Sequence, residues 1–416
     1  MRDRPTYNIG RRRGVMLYAT TMMISILVAG AGVTLVSLQF ANRRVQSTLT
    51  TRRQSQQLGR AGTEWALATV HATTNWRNAF TTTPTQTLRP DGGGRIDVTL
   101  SDDDGNLLDD DTDAARITVA SQLDTQTRTF SLTARPYPHA TMAYTVAASG
   151  NITFASLATV NGPIYAKGSI IGTGVTVNLG AAAAFDVPAG SVVTPTLTPQ
   201  NLNAPSYAMP APDLSYYTSR ANTISRTGNS GGNWKLEKAK FTSTYATTGS
   251  VNAYGLYWID LGTKNLDIRE CLIEGTLIIT GSGANVITVD KASIIRPGTQ
   301  PYPSLIIALG AGSSVNLIIP NESLSESSAD LDFNGDGDKT DTFTPYVSGL
   351  VYVSGASTTL GGSGWLFTGC LQAGTVTIGG GVVLGDGRTS LAEQLSPGFT
   401  DKLLHVVSGT TQEMAR

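Results

Sequence analysis

The chain begins with an apolar run in which no charged side chain occurs between residues 14 and 42. A helix needs about 20 residues to cross the ~30 Å hydrocarbon core of a bilayer, so this run is long enough. The apolar region of a cleaved secretory signal has ~7–15 residues, which is much shorter. The sequence therefore predicts one membrane-spanning helix over residues 15–41.

The charges around this span indicate its orientation. Residues 1–60 carry ten Arg and one acidic residue, Asp3, whereas the rest of the chain carries 20 basic and 30 acidic residues. Arginines flank the span on both sides, so charge alone does not orient it. Because the leader is short and the body is large, we expect the amino end to stay inside. This predicts a single-pass membrane protein with its body outside, and no nucleic-acid partner.

The segment after the span has the pattern of a continuing helix. Residues 43–77 contain no Pro, and apolar or small residues recur at helical spacing, as at Leu58, Ala61 and Trp65. Together with the span they predict one helix of about 60 residues over 15–80, or about 90 Å at 1.5 Å per residue. Pro84 is expected to terminate it.

The start of this helix resembles a known export signal. Arg12-Arg13-Gly14, followed by Val15-Met16-Leu17, resembles the prepilin leader of type IV pilins and type II secretion pseudopilins. In those families a membrane peptidase cuts after the Gly. The resemblance implies a leader over 1–14, cleavage between Gly14 and Val15, an inner-membrane location with a periplasmic or extracellular body, and a prepilin peptidase and other pilin-like subunits as partners. A plain signal-anchor with a chance Gly is the alternative.

The helix itself is similar to one subgroup of these families. The stretch from Leu58 to Leu67, LGRAGTEWAL, resembles the helix of PilX-type minor pilins and K-type pseudopilins. Major pilins carry Glu at the fifth mature position, where this chain has Ala19, and K-type tip pseudopilins also tend to lack that Glu. The resemblance implies a minor or tip-like role, with the amphipathic half of the helix packed against neighbouring helices.

Residues 91–138 are expected to form a small β-unit. Ile96, Val98 and Leu100 alternate with polar residues, as do two later pieces around 117–119 and 130–132, which is the period of half-buried strands. Between the first two pieces lies an acidic loop with seven Asp residues in positions 102–113. This loop is either a second site for a hard cation or a solvated acidic turn.

From residue 144 to 389 the chain becomes a series of short apolar pieces separated by Gly, Asn, Thr and Ser. Such pieces are too short to be stable alone, but stacked coils bury them in one ladder. We therefore predict a mainly β protein whose body is a parallel, right-handed β-helix; a left-handed hexapeptide helix and a β-sandwich are the alternatives. Residues 188–250 are expected to leave the stack, with 205–217 as a flap. Residues 390–416, helical around 391–395 and 403–407, are expected to cap it.

The body contains a motif typical of a calcium loop. Residues 330–341 fit D-x-[DN]-x-[DN]-G-x5-[DE], in which positions 1, 3, 5 and 12 supply oxygen ligands and Gly at position 6 allows the turn. Asp at position 12, where EF-hands have Glu, occurs in dockerin-type loops. The motif predicts Ca²⁺ bound by Asp330, Asp332, Asn334, Asp336, Asp338 and Asp341.

The two cysteines, Cys271 and Cys370, occur in similar surroundings, CLIEGTL and CLQAGTV. An exported location allows a disulfide between them. Matching positions in two coils also suit two small buried apolar residues stacked in a ladder. Both interpretations remain open at this stage.

These features together resemble large PilX-like proteins of bacteria with a β-helical carboxy-terminal part. The favoured function is a non-enzymatic subunit of a type IV pilus or a type II secretion-like pseudopilus that displays a Ca²⁺-stabilised β-helix. A signal-anchored surface adhesin is one alternative. A β-helical polysaccharide lyase or hydrolase is another, on fold analogy alone.

Overall fold

The computed structural model describes residues 9–415 except 74, 91–92, 156–157, 173–174, 179–180, 184–192, 196–200, 203, 226, 229–232, 319–321, 363–364, 381, 388–394 and 411. The chain is mainly β with a long amino-terminal helix, as predicted. It divides into two compact units. The first comprises Met1–Leu107, Ala114–Ala134 and Val406–Arg416, and the second comprises Leu108–Asp113 and Arg135–His405.

The first unit contains one long helix, α1 (Ile9–Ala72), of 64 residues, followed by the short helix α2 (Trp76–Thr82). The most apolar part of α1 buries none of its surface within the chain, and its length and composition suit a membrane span. Its last helical residue is Ala72, eight residues before the predicted end at 80. The next residues include Thr73 and Asn75, whose side chains compete with the helical backbone.

The second half of α1 packs on an antiparallel sheet in the same unit. The sheet is formed by β1 (Thr85–Leu88), β2 (Arg95–Ser101), β3 (Ala115–Leu123) and β4 (Gln126–Pro138), which pair in this order. Ala66 and Val70 of α1 are fully buried. A Cβ on Gly59 would lie 1.9 Å from the Phe130 ring, so Gly is what allows helix and sheet to come this close. The amphipathic half, expected to contact neighbouring helices, is therefore covered by the chain's own sheet.

The second unit is a parallel β-helix, which confirms the predicted body; its right-handed sense stays a prediction. Each coil contributes up to three short strands, and nearly all of these strands pair in parallel with strands of neighbouring coils; β15 pairs antiparallel with β16. The first strands in the chain are β5 (Val146–Ala148), β6 (Ile152–Phe154), β7 (Thr159–Val160), β8 (Ile164–Ala166), β9 (Ile170–Ile171), β10 (Val175–Val177), β11 (Ala181–Ala183), β12 (Val193–Pro195) and β13 (Asn201–Leu202).

The later strands follow a helix, α3 (Leu214–Arg220). They are β14 (Asn222–Thr223), β15 (Thr227–Gly228), β16 (Trp234–Phe241), β17 (Leu256–Asp260), β18 (Leu266–Glu274), β19 (Thr276–Thr280), β20 (Val286–Val289), β21 (Ile294–Arg296), β22 (Leu305–Ile318), β23 (Leu324–Ser325), β24 (Thr342–Phe343), β25 (Tyr346–Gly361), β26 (Trp365–Ala373), β27 (Thr375–Ile378) and β28 (Val382–Asp386). A short helix, α4 (Glu326–Ala329), lies between β23 and β24, and these two strands form a separate antiparallel pair.

The order of the coils in the stack differs from their order in the chain. β26, β27 and β28 pair in parallel with β5, β6 and β7, so the coil formed by residues 371–384 stacks directly on the coil formed by 146–160. The first coil therefore lies in the middle of the stack. From it the chain winds to one end of the stack at β13 and continues at the other end with β14. It then winds back towards the middle until β28 meets the first coil.

Two columns of side chains run along this stack, and in each column successive residues come from neighbouring coils. The inward column is aliphatic apart from one Tyr and consists of Tyr257, Leu277, Leu305, Val351, Leu371, Val146 and Ile164, all at most 1% exposed. The residue that follows each of these in the sequence faces outwards. These residues form a second column, which consists of Trp258, Ile278, Ile306, Tyr352, Gln372, Ala147 and Tyr165. The second column is also largely buried, so something must cover it on the outside.

The cover is the segment 204–221, here called the strap. The Tyr165 hydroxyl donates to the Pro205 carbonyl at 3.2 Å and accepts from the Tyr207 amide at 2.9 Å. Further along the strap, Tyr217 of α3 is fully buried in a cluster with Leu256, Ile278, Ile306 and Leu350. The expected flap at 205–217 thus lies along the outward column.

The wider excursion predicted for 188–250 is wrong in part. β12 and β13 pair in parallel with β10 and β11, and β16 pairs in parallel with β18 over seven residue pairs. The prediction rests on the abundance of Pro, Ser, Thr and Asn in 188–250, but β16 within this range carries the charged residues Lys235, Glu237, Lys238 and Lys240. They belong to a coil near the end of the stack, where charged side chains protect an otherwise exposed strand edge.

The two similar cysteine segments form similar corners. In each, a strand ends one residue before a glycine, Gly275 or Gly374, and the next strand begins one residue after it. Gly275 has φ +146°, and a Cβ there would lie 2.2 Å from the Gly255 carbonyl oxygen of the preceding coil. Only glycine fits at position 275, because the backbones of successive coils touch there.

The last strands, β29 (Thr400–Val406) and β30 (Gln412–Ala415), both pair with β4 in the antiparallel sheet. The helix predicted at 403–407 is therefore wrong: residues 400–406 form a strand. Most of the other helix predicted at 391–395 lies outside the described residues. Capping of the stack by 390–416 stays a prediction.

Candidate metal centre

The predicted calcium loop lies on a lateral face of the β-helix, between α4 and β24. Phe333, at the centre of the loop, is buried against Leu272 and Ile294 of the helix face. Asp330 has φ +57° and forms the carboxyl cap of α4, while Gly335 and Gly337 have φ of +84° and +95°. The loop therefore turns back on itself where the motif places glycine.

Several side chains predicted to bind Ca²⁺ accept hydrogen bonds from backbone amides of the same loop. Both carboxylate oxygens of Asp332 accept amide hydrogen bonds, one from Gly335 and one from Gly337 at 2.9 Å. Asp336 Oδ1 accepts from the Asp338 amide at 3.0 Å, and Asp338 Oδ1 accepts from the Thr340 amide at 2.9 Å. The loop is thus a series of side chain–backbone turns.

The far end of the loop gathers negative charge. Ligand oxygens of Glu326, Asp338 and Asp341 all lie within 4.8 Å of one another. The amide of Asn334 donates to Asp336 Oδ2 at 2.9 Å and to Asp341 Oδ2 at 2.7 Å. Desolvation and the neighbouring carboxylates, Asp336 first among them, raise the pKa of Asp341 above its usual range.

Glu326 is a residue of this site that the motif does not contain. Its side chain is fully buried, Oε1 accepts from the Phe333 amide, and Oε2 accepts from the Asp341 amide at 3.1 Å. It lies four residues before the motif, in the first turn of a helix capped by Ser325. A capping Ser followed by Glu is a sequence signal for a helix start, but not for a ligand.

Asp330, the first ligand position of the motif, is not brought to this cluster. Its Oδ1 accepts from Lys339 Nζ at 2.9 Å, and this bond lowers the pKa of Asp330 and raises that of Lys339. Two lysines of β16 also hold the loop: Lys238 donates to the Ser328 carbonyl at 2.6 Å, and Lys240 donates to the Asp332 carbonyl at 2.9 Å.

The side chains of this site supply some of the ligands that a hard cation requires. All the side-chain groups are oxygen donors except the Asn334 amide nitrogen, which suits Ca²⁺ rather than a transition metal. Three carboxylates already converge. Desolvation, and after it repulsion from the neighbouring carboxylates, raises the pKa of Asp341, and a cation would relieve that repulsion. Asp330 would have to leave Lys339 to join them.

The acidic residues of the loop at 102–113 have hydrogen-bonding roles within their own units. In the first unit, Asp102 Oδ1 accepts from the Gly105 amide at 2.7 Å. In the second, Asp110 Oδ2 accepts from the Tyr216 hydroxyl at 2.9 Å, and Asp111 accepts from the amide of Gly398 and the hydroxyl of Thr400. Several of the clustered carboxylates are thus hydrogen-bond acceptors that tie segments together.

The β-helical ladder excludes a disulfide between Cys271 and Cys370. The strands that carry them, β18 and β26, are separated by β21 and β25. Three strand spacings amount to about 14 Å, whereas a disulfide requires Cα atoms within about 7 Å. The two thiols also belong to different apolar clusters, so they do not stack on each other. Burial raises the pKa of the Cys271 thiol to about 12, and Sγ donates to the Arg269 carbonyl at 3.1 Å.

The predicted cleavage position, Gly14 and Val15, lies within α1. Residues 1–8 of the expected leader lie outside the described residues. Cleavage at this bond stays a prediction.

Comparisons with known proteins give little beyond this. No protein-family model matches the chain, and no curated protein matches it. Among solved structures, the chain is similar to the competence-associated pilin ComZ from Thermus thermophilus, with 8% sequence identity and a TM-score of 0.25, over 80% of this chain and 86% of that chain. A TM-score this low does not define a shared fold.

Proposed function

We propose that the chain is a pilin-like, membrane-inserted structural subunit with a minor or tip-like role in a type IV pilus or a type II secretion-like pseudopilus. The observation that carries this proposal is the division of α1. Large apolar side chains from Met16 to Leu49 are about half to three-quarters exposed, whereas Ala66 and Val70 are fully buried on the chain's own sheet. One continuous helix thus has an unpartnered apolar half and a half anchored to a folded unit.

An unpartnered apolar helix needs a lipid or protein environment, since water is a poor solvent for it. Before assembly the inner membrane would supply that environment, and after assembly the helices of other pilin-like subunits would. The Arg12-Arg13-Gly14 signal supports this route, with cleavage by a prepilin peptidase. Ala19, in place of the usual Glu, supports a minor or tip-like position rather than a bulk subunit.

The β-helix would be the displayed part of such a subunit, and we assign it a structural rather than a catalytic role. Ca²⁺ would be held by Asp338, Asp341 and Glu326 together with other oxygens of the loop at 330–341. When bound, the ion would supply positive charge that lets these carboxylates lie together. The chain's own residues already shape the turn, so the ion would stabilise a preformed loop.

The mass of the amino-terminal peptide of protein purified from its native membrane tests the export route. A start at Val15 is expected, and Gly14→Leu should abolish that start whereas Gly10→Leu, in the same leader, should not. An intact start at Met1 or Arg2 in the wild-type protein would contradict the proposal. It would identify a signal-anchored surface protein such as an adhesin.

A further inference from the structure

The sequence contains two Asn-Gly pairs, Asn161-Gly162 in the β-helix and Asn334-Gly335 in the calcium loop. An Asn side chain loses its amide when the backbone nitrogen of the next residue attacks Cγ, because this closes a five-membered ring. Glycine in the next position favours the reaction, since it has no Cβ to obstruct the ring and its backbone turns freely. The two pairs have the same chemistry but different surroundings, so the fold determines which of them reacts.

Asn334 and Gly335 lie where the calcium loop turns in solvent. Both residues are exposed, and Gly335 has φ +84°. Apart from its chain neighbours, no atom lies within 4 Å of the position that a Cβ on Gly335 would occupy. The peptide between the two residues is therefore not held by packing, and it can rotate as ring closure requires.

The hydrogen bonds of this turn favour the attack on Asn334. Its Oδ1 accepts from the Asp336 amide at 3.1 Å, which forms an Asx-turn that folds the side chain over the Gly335 peptide. The same donor stabilises the negative charge that develops on Oδ1 when Cγ is attacked. The Gly335 amide donates to Asp332 in an exposed bond, which water can replace when the amide proton leaves.

Asn161-Gly162 is held between coils and lacks this freedom. The Asn161 amide donates to the Leu384 carbonyl at 2.7 Å, and Asn161 Oδ1 accepts from the Asn178 side chain. Gly162 is buried, and a Cβ there would lie 1.8 Å from Thr145 Oγ1. Rotation of this peptide would break the contacts between coils, so the ring cannot close while the β-helix is folded.

We propose that Asn334 is a site of spontaneous deamidation in the folded chain. The Gly335 nitrogen forms a bond to Asn334 Cγ and gives up its proton, while the side-chain nitrogen takes up a proton and leaves as ammonia. Water then opens the succinimide at either of its two carbonyl carbons, which yields aspartate or isoaspartate. Water is the only co-reactant.

The modification changes the charge of the calcium loop. The Asn334 side chain donates to Asp336 Oδ2 at 2.9 Å and to Asp341 Oδ2 at 2.7 Å, so a neutral amide bridges two carboxylates. Deamidation replaces this donor with a further carboxylate, and isoaspartate also adds a methylene group to the backbone. Without a cation, the modified loop loses two hydrogen bonds and gains repulsion between like charges.

Incubation of the full chain in detergent micelles with EDTA, at mildly alkaline pH, tests the proposal without depending on bound Ca²⁺ or on cleavage at Gly14. Tandem mass spectrometry of its peptides follows the conversion of each Asn to an acid. Asn334 should convert roughly tenfold faster, or more, than Asn161 and than Asn106, an exposed loop Asn followed by Leu107. In concentrated urea Asn161 should convert as fast as Asn334, because unfolding frees both pairs.

Asn334→Gln is the matched variant, because its longer side chain does not close the five-membered ring. After the same incubation, the melting temperature of the wild type in EDTA should fall, and that of Asn334→Gln should keep its starting value. The proposal is overturned if Asn334 does not convert in the folded chain, if Asn161 converts equally fast there, or if both proteins lose the same stability. Slower conversion of Asn161 than of Asn334 in urea would refute its protection by the fold.

Discussion

The hydroxyl of Tyr217 donates a hydrogen bond to the carbonyl oxygen of Pro397, with 2.6 Å between the two oxygens. Tyr217 lies in the strap and is fully buried, and its ring meets that of Tyr302 edge-on at 5.8 Å between centroids. Burial raises the pKa of Tyr217 far above its usual range, so the hydroxyl keeps its proton and remains a donor. One side chain thus fixes the strap and orders the segment before β29.

Tyr217→Phe keeps the ring but removes the donor, which leaves the Pro397 carbonyl without that bond. We expect the free energy of unfolding to fall by about 1–3 kcal/mol, the usual effect of orphaning a buried polar group. Urea unfolding of the full chain in micelles would measure it. Tyr254→Phe, at an exposed tyrosine, should change the value by less than about 0.5 kcal/mol; equal effects would contradict the role of the bond.

The two corner glycines should respond differently to alanine. Gly275→Ala places a Cβ 2.2 Å from the Gly255 carbonyl oxygen at φ +146°, whereas Gly374→Ala meets the Ala356 carbonyl oxygen at 3.3 Å. We expect the first change to destabilise the body by more than about 2 kcal/mol and the second by less than about 1 kcal/mol. Thermal unfolding of both variants checks this, and similar melting temperatures would refute the contact between coils.

Asp341→Asn should have opposite effects with and without Ca²⁺. In EDTA the substitution removes a carboxylate whose pKa is raised by desolvation and by its acidic neighbours. The oxygen of the new side-chain amide can still accept the hydrogen bond from the Asn334 side chain. We expect an unchanged or higher melting temperature in EDTA. In Ca²⁺ the variant loses a charged ligand, so its melting temperature should fall below that of the wild type.

Glu322→Gln is the matched control for that experiment, because Glu322 is exposed and lies close to the loop in sequence. It should show no difference between the two conditions. A wild-type melting temperature that does not depend on Ca²⁺ would refute the predicted calcium site.

His139 should make stability depend on pH. Its Nδ1 accepts from the Thr141 amide at 3.2 Å, and burial lowers the pKa of His139 below its ordinary value of about 6.5. The unfolded chain therefore binds a proton at a higher pH than the folded chain does. The stabilisation is present above pH ~6.5 and is lost as the pH falls through the lower folded pKa.

His139→Asn removes this titration while keeping a side-chain acceptor for Thr141. We expect the difference in unfolding free energy between pH 7 and pH 5 to be smaller in the variant, as measured by urea unfolding at each pH. His71→Asn, at an exposed position of α1, should keep the wild-type difference. An identical pH dependence in all three proteins would rule out the role of His139.

Local patterns predicted much of the local structure, although the helix expected at 403–407 is a strand. The uncharged run gave the exposed helix, and the alternation at Ile96, Val98 and Leu100 gave a strand with one buried face. Short apolar pieces separated by Gly gave the parallel β-helix. Each of these inferences depends on the spacing of neighbouring residues, which determines which face of an element is apolar.

The contacts between distant segments could not be predicted in this way. Nothing near Leu371 indicates that Val146 is its partner, because any aliphatic strand end of similar length would fit the ladder. The similar segments around Cys271 and Cys370 suggested equivalent positions, but the coils between them keep the thiols apart. Glu326 was missed for a similar reason: its role depends on a loop that folds back over it.

The order of coils in the stack has a consequence for how the body folds. Ser149 and Gly374, which are hydrogen-bonded where the first and last coils meet, are separated by 225 residues. During synthesis, the coil at 146–160 therefore presents an unpaired edge until residues 365–386 have been made. Unpaired edges promote aggregation, and contacts this distant in sequence form slowly. Completion of the body must then be a late step of folding, and the first coils have to be kept from pairing with other strands until the last one arrives.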